Sequence, residues 1–290
     1  KKYSLYLSTY SPSANIDIAP YEKQLDTKIQ TALSSSAAGY YIKNSIFTNK
    51  NIKEFEEIAL QYKHITKRLT PKQWSDIIDR FTVNFTYESN AIEGNSLTLK
   101  DVTFVLHEGK AIRGKDLREV YEVLNTRTAL ELIFKNKFSV TEQNIINLHS
   151  ILVKDTGITT GYKRLPNFLL GRKTKTTAPE YVAFEMKKLI DWYNSSKNVH
   201  PLQLAAEFHG RFEKIHPFED GNGRVGRLLI NIMLLRHDYP PLIIRKTQRV
   251  KYFHALEAFD KGHPENLYRF LIQKYKDTYE KFFQVYVRYL

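Results

Sequence analysis

Apolar residues recur at helical spacing through most of the chain beyond Leu69, and the residues that open and close these stretches are helix caps. Thr70, Pro71 and Gln73 supply an N-cap, a first-turn proline and a capping-box partner. Trp74, Ile77, Ile78, Phe81 and Phe85 then share one face, and Gly94 is a natural stop just after Glu93. Thr98 caps a second helix whose inner positions are Val102, Val105 and Leu106 and which ends near Gly109. A third runs through Leu117, Val120, Tyr121, Leu124 and Leu132, and Ser139 with Glu142 forms another capping-box pattern ahead of Ile145, Leu148 and Leu152. Helices resume over Tyr181 to Tyr193, Pro201 to Lys214, Arg224 to Arg236, and from Pro264 onward. Such a chain must bury helix against helix, so the expected class is mainly α.

Two regions depart from this rhythm. Gly157 to Pro179 holds Gly161, Pro166, Gly171 and several threonines around Phe168, Leu169 and Leu170, a composition that suits a short β-hairpin or an ordered loop. Residues 1–65 read as an N-terminal extension: an extended lead-in with a short helical piece to about Tyr40, then a short element over Ile52 to Tyr62. Residues 66–290 read as the main domain.

The chain has no cysteine, which excludes disulfides and thiolate metal sites and makes the cytoplasm the default location. No apolar run approaches the roughly 20 residues that span a bilayer, and Lys1 to Ala19 lack a signal-peptide core. A formal charge of +13 invites a nucleic-acid partner, but the basic residues are dispersed and form no compact arm, so the charge reads as a solvated surface that also favours a polyanionic substrate.

The chemically informative stretch is His216-Pro217-Phe218-Glu219-Asp220-Gly221-Asn222-Gly223-Arg224-Val225-Gly226-Arg227, which lies between two helices. Its glycines feed a turn into a helix N-terminus, where unpaired N–H groups favour an anion. Gly221 and Gly223 permit the dihedrals that make such amides converge. Arg224, Arg227 and Asn231 fall at i, i+3 and i+7 and form a polar stripe, so two guanidinium groups reach one anion. Asp220 is a hard oxygen ligand at the mouth, and His216 carries the side chain whose ordinary titration range suits proton abstraction near neutrality. Together these point to phosphoryl-type chemistry.

The run from His216 to Arg227 resembles, position for position, the signature of the Fic family, H-P-F-x-[D/E]-G-N-G-R-x-x-R. Gly161, Arg164 and Phe168 to Gly171 look like the family's flap, and Tyr239 to Glu257 looks like the segment beyond the motif helix. The resemblance implies a Fic-type helical bundle that transfers AMP from ATP to a Ser, Thr or Tyr hydroxyl of a target protein. It implies His216 as general base, Asp220 as the magnesium ligand, and Gly221, Asn222, Gly223, Arg224, Gly226 and Arg227 as the phosphate-binding set. Tyr252 and Phe253 would line the base pocket, where Asp260 stands in place of a frequent asparagine, and Leu169, Leu170, Gly171 and Arg172 would pin the target segment. Ser89 and Glu93 fit the family's inhibitory pattern [S/T]-x-x-x-E-[G/N], which makes the helix over about 71–93 a restraint acting on Arg227. Another donor, removal of AMP, or an adaptor that binds nucleic acid are the rival readings, and a homodimer is compatible with all of them.

Overall fold

The computed structural model describes residues 19–39, 44–135, 138–167 and 175–289. Among these residues the fold is eleven α-helices, short 3-10 turns and a single antiparallel bridge, Tyr162 to Phe218. The helices are α1 (Ala19–Gly39), α2 (Asn49–Arg68), α3 (Pro71–Ile92), α4 (Leu99–Glu108), α5 (Leu117–Phe134) and α6 (Glu142–Leu152), followed by α7 (Val182–Ser195), α8 (Pro201–Ile215), α9 (Asn222–Arg236), α10 (Arg249–Asp260) and α11 (Glu265–Phe282).

Local capping accounts for most boundaries. Thr70 and Gln73 close a capping box on α3, Thr98 and Asp101 do the same for α4, and Gly109 ends α4 in the left-handed conformation at φ 65°. The expected Ser139–Glu142 box does not form. Thr141 caps α6 instead, accepting from the Asn144 amide, while Ser139 accepts from the Asn144 side chain and Glu142 from the Tyr162 hydroxyl. Thr141 lies next to the first helical residue, so its hydroxyl meets the free amides before that of Ser139 can. The N-terminal elements are also longer than expected. α1 has 21 residues, although Leu33 is its one buried side chain among those described, and α2 has 20, opened by the Thr48 cap. Their polar faces dilute the apolar signal that marks α3.

Position in the core then decides what the site becomes. α8 and α9 form an antiparallel pair buried over nearly their whole length, with α3, α5 and α6 against α9 and α7, α10 and α11 against α8. Phe47, Ile52, Phe55, Tyr62 and Ile65, from the segment read as an extension, share the core of this pair. Two glycines of the pair face close neighbours. A Cβ on Gly226 would come within 2.7 Å of Glu213 and 2.8 Å of His209, and one on Gly210 within 2.6 Å of the Phe259 ring.

Asn231 lies in this contact as well, 1% exposed. Its side chain accepts from the Leu242 N–H at 2.8 Å and donates to the Leu242 C=O at 3.0 Å, securing the segment that follows α9. Asn231→Ala leaves two buried backbone groups unpaired and should lower the unfolding free energy by about 1–3 kcal/mol. Urea unfolding measures it, and an unchanged midpoint would refute the assignment.

Of the stretch Gly157 to Pro179 expected to form the hairpin, the described residues 157–167 and 175–179 hold no strand beyond the Tyr162 bridge, and the part with Leu169, Leu170, Gly171 and Arg172 lies outside the described residues.

Candidate active site

His216 is the C-cap of α8 and takes φ 51°, a left-handed conformation that a residue with a Cβ adopts only when its surroundings hold it there. Its N–H donates to Phe212 O at 2.8 Å, and its Nδ1 lies 3.6 Å from the buried carboxylate of Glu213. The turn that follows is closed by Asn222, whose side chain accepts from the Phe218 N–H at 2.8 Å and donates to the Phe218 C=O at 2.9 Å. Asn222 therefore spends its amide on the shape of the loop and leaves its backbone N–H to the helix end.

Gly221, at φ 81°, is the N-cap of α9, and no side chain caps that end. The first-turn amides from Asn222 to Arg224 thus lack the usual side-chain acceptor, and the helix dipole adds to their preference for an anion. A carboxylate already lies there. A Cβ on Gly223 would stand 2.1 Å from Glu93 Oε1, so the Glu93 side chain rests directly on the glycine.

Glu93 is the C-cap of α3 and reaches Arg227 on α9, with Oε1 2.7 Å from the terminal nitrogen Nη2. Arg227 also donates from Nε to Ser89 Oγ at 3.0 Å and from Nη2 to the Ser89 carbonyl at 2.9 Å. Ser89 and Glu93 thus grip one guanidinium across a single turn of α3. The contact is one-pronged, because Ser89 takes the other edge and Nη1 has no hydrogen-bond partner. Burial is the largest influence on Arg227 and opposes its charge, but Glu93, with Tyr252 and Glu213, together outweigh it, and the guanidinium is held above its ordinary range.

Arg224 is equally buried, at 2% exposure, and is surrounded differently. Its Nη1 is 3.2 Å from Glu122 and its Nη2 is 3.7 Å from Asp220, while Nε and Nη1 make no hydrogen bond. The charge is balanced but the donors are not used, the condition in which an incoming oxyanion binds well. Asp220 pairs with Arg118 of α5 at 2.6 Å and stays 42% exposed. Among the described residues no group of three or more metal-ligating side chains occurs. A lone exposed carboxylate still suits magnesium, which takes one or two carboxylates and completes its shell with phosphate oxygens and water.

The spacing in sequence did not single out Arg118, Glu122, His149 or Lys163, which all reach this loop. His149 stacks flat on Phe218, 3.9 Å between ring centres, and its Nε2 is 3.0 Å from the Asp220 carbonyl. Burial pushes its pKa down to about 4 despite that carbonyl, so the ring is neutral at pH 7 and Nε2 donates. A histidine beside the apolar stripe of α6 was the available signal. Glu122 and Arg118 carried none, since a polar pair on α5 reads as a solvated face.

Of the residues assigned to a base pocket, Tyr252 is 1% exposed, stacks on His209 and shares a 2.7 Å hydrogen bond with it. Phe253 is half-buried under the Arg249 guanidinium, and Asp260 closes α10. Gly226, grouped with the phosphate-binding residues, is occupied in helix packing. A cavity of about 780 Å³ opens beside the end of α8, bounded by Lys214, Ile215, Arg211, Trp192 and Phe259. A second, of about 520 Å³, lies between Glu93, Asn95, Arg118 and Glu122.

Residues 139–234 match the family model described as Fic/DOC. The chain is 33% identical over 186 residues to a protein adenylyltransferase, fic-1, of Caenorhabditis elegans, and 35% identical over 190 residues to protein adenylyltransferase Fic of Drosophila willistoni. These matches take in 61% and 64% of this chain but only 36% and 38% of those proteins, so the chain spans little more than a third of their length. Among solved structures, a Fic domain-containing signalling protein from Bacteroides thetaiotaomicron is similar with TM-score 0.71 and 28% identity, over 78% of this chain and 94% of that one. Fic-1 from C. elegans shares the fold at TM-score 0.69, with 21% identity over 91% of this chain and 73% of that one.

Proposed function

We propose, from the match of residues 139–234 to the Fic/DOC family model, that the protein transfers AMP from ATP to a hydroxyl side chain of a target protein. What carries the reading is the meeting of His216 with an uncapped helix N-terminus and the underused donors of Arg224. The adenylyltransferase names of the relatives support it.

In the proposed reaction His216 accepts the proton of the target hydroxyl, and the hydroxyl oxygen attacks the α-phosphorus. A phosphoester bond forms, the α–β bridge breaks, and pyrophosphate leaves. The amides of Asn222 and Gly223 hold phosphate oxygens, and Arg224 and Arg227 balance the outer charge, so the protein contributes mainly position and electrostatics. Asp220 would hold magnesium, which neutralises phosphate charge when bound. Phe253 and Asp260 would meet the base, with Tyr252 as a buttress behind them.

Glu93 restrains this chemistry in the same reading. Its carboxylate is itself an anion seated on Gly223 and paired to Arg227, so it competes with the outer phosphate for one seat.

ATP labelled at the α or the γ phosphate, offered to the Glu93→Gly variant, tests the donor chemistry. Label should stay on protein only from the α position. Retention from the γ position would replace AMP transfer with phosphorylation.

A further inference from the structure

The backbone of His216 is held by something other than its own preference. Three carbonyls flank its left-handed turn, and each accepts a bond from residues 163–167 or from Asn222. The Lys163 N–H donates to Pro217 O at 2.8 Å, and the Lys163 ammonium donates to Ile215 O at 3.4 Å. The Asn167 amide donates to Phe218 O at 2.8 Å, beside the Asn222 bond to the same oxygen. The ammonium also donates to Asn167 Oδ1 at 2.8 Å and to Thr176 Oγ1 at 3.0 Å, so all three of its protons are used. By engaging Oδ1 it turns the Asn167 amide nitrogen toward Phe218.

We propose that Lys163 is a positioning residue for His216: it ties Ile215, Pro217 and, through Asn167, Phe218 into the turn that aims the imidazole. The inference rests on His216 being the base described above. A lysine only 5% exposed is costly, and its hydrogen-bond partners among the described residues are neutral oxygens. Burial accordingly pushes its amino group down to about 8. An unbranched apolar side chain would fill the same space more cheaply. The charge is spent on the carbonyls around His216, and no phosphate-binding group lies among its partners.

The test is Lys163→Met in the Glu93→Gly background. Methionine keeps the stem and the backbone N–H but removes the ammonium. Transfer from saturating ATP should fall about 100-fold in kcat, the scale of a 1 Å misplacement, while the Kd for ATP stays within about twofold. The His216 ring proton signal in NMR, identified by its loss in His216→Ala, should shift or broaden. Thr176→Val, which removes one acceptor and keeps the charge, should move the same signal and lower kcat by a smaller factor, and it serves if the methionine variant does not fold. An unchanged kcat overturns the proposal, as does a loss of ATP affinity that matches the loss of rate. If the Glu93→Gly parent transfers nothing, the proposed activity falls, and the His216 signal alone then decides the role of Lys163: unmoved, it overturns it.

Discussion

Glu93→Gly should raise AMP transfer by about 100-fold over the wild type at matched protein and ATP concentrations. The carboxylate lies against Gly223 and 2.7 Å from the Arg227 guanidinium, the position an outer phosphate needs. In the proposed function ATP then enters only with its phosphates displaced, and a displacement on the order of 1 Å costs about 100-fold in rate. Removing it should not loosen the arginine. Two of the bonds that hold Arg227, to Ser89 Oγ and to the Ser89 carbonyl, come from the helix itself and survive the substitution. The guanidinium is then already oriented, with Nη1 and the freed side of Nη2 turned to the nucleotide. Incorporation of α-labelled AMP into the protein and into target extracts measures the gain. Equal incorporation by both forms would reduce Glu93 to a helix-end residue with a buried partner, and the assignment of His216 could stand.

His216→Ala, made in the Glu93→Gly protein, should reduce transfer by about 100- to 10,000-fold, the usual span for a positioned general base. ATP affinity should be nearly unchanged, because the amides at the start of α9 and the donors of Arg224 do not depend on the imidazole. Calorimetry and the transfer assay on one preparation separate the two effects. Transfer that survives the substitution would remove His216 from its role, and a parallel loss of affinity would mean that the ring helps to hold the loop. Alanine keeps a Cβ at φ 51°, so the substitution does not relieve the left-handed backbone, and no gain in thermal stability is expected from it.

Most helices from α3 onward, though not α10, were legible in the chain because their signals are local. A threonine with a glutamine or aspartate three residues later, and a glycine at the end, act within one turn, and Thr70, Thr98 and Gly109 behave as those rules require. Ser139 failed by the same logic, since Thr141 offers a hydroxyl closer to the same amides. α1 was underestimated because it buries little, and periodicity registers only what is buried.

The site divides along the same line. The order of His216, Asp220, Gly221 and Arg224 placed a proton acceptor, a carboxylate and an anion seat within one turn and the start of one helix. The sequence by itself determined that much, because neighbours in the chain cannot be far apart in space. Tertiary structure decided which of these groups would be free and which engaged. Arg224 and Arg227 lie on one face of α9, yet one has idle donors and the other is gripped by Ser89 and Glu93, 138 positions earlier for the Ser89 contacts. Arg118, Glu122, His149 and Lys163 reach the loop from α5, α6 and the segment before residue 168. Their arrival depends on how closely α8 and α9 approach, which Gly226 permits, on the seat of α10 against α8 at Gly210, and on how the surrounding helices cross that pair. Those angles come from the fit of many side chains at once, so no short window of sequence contains them.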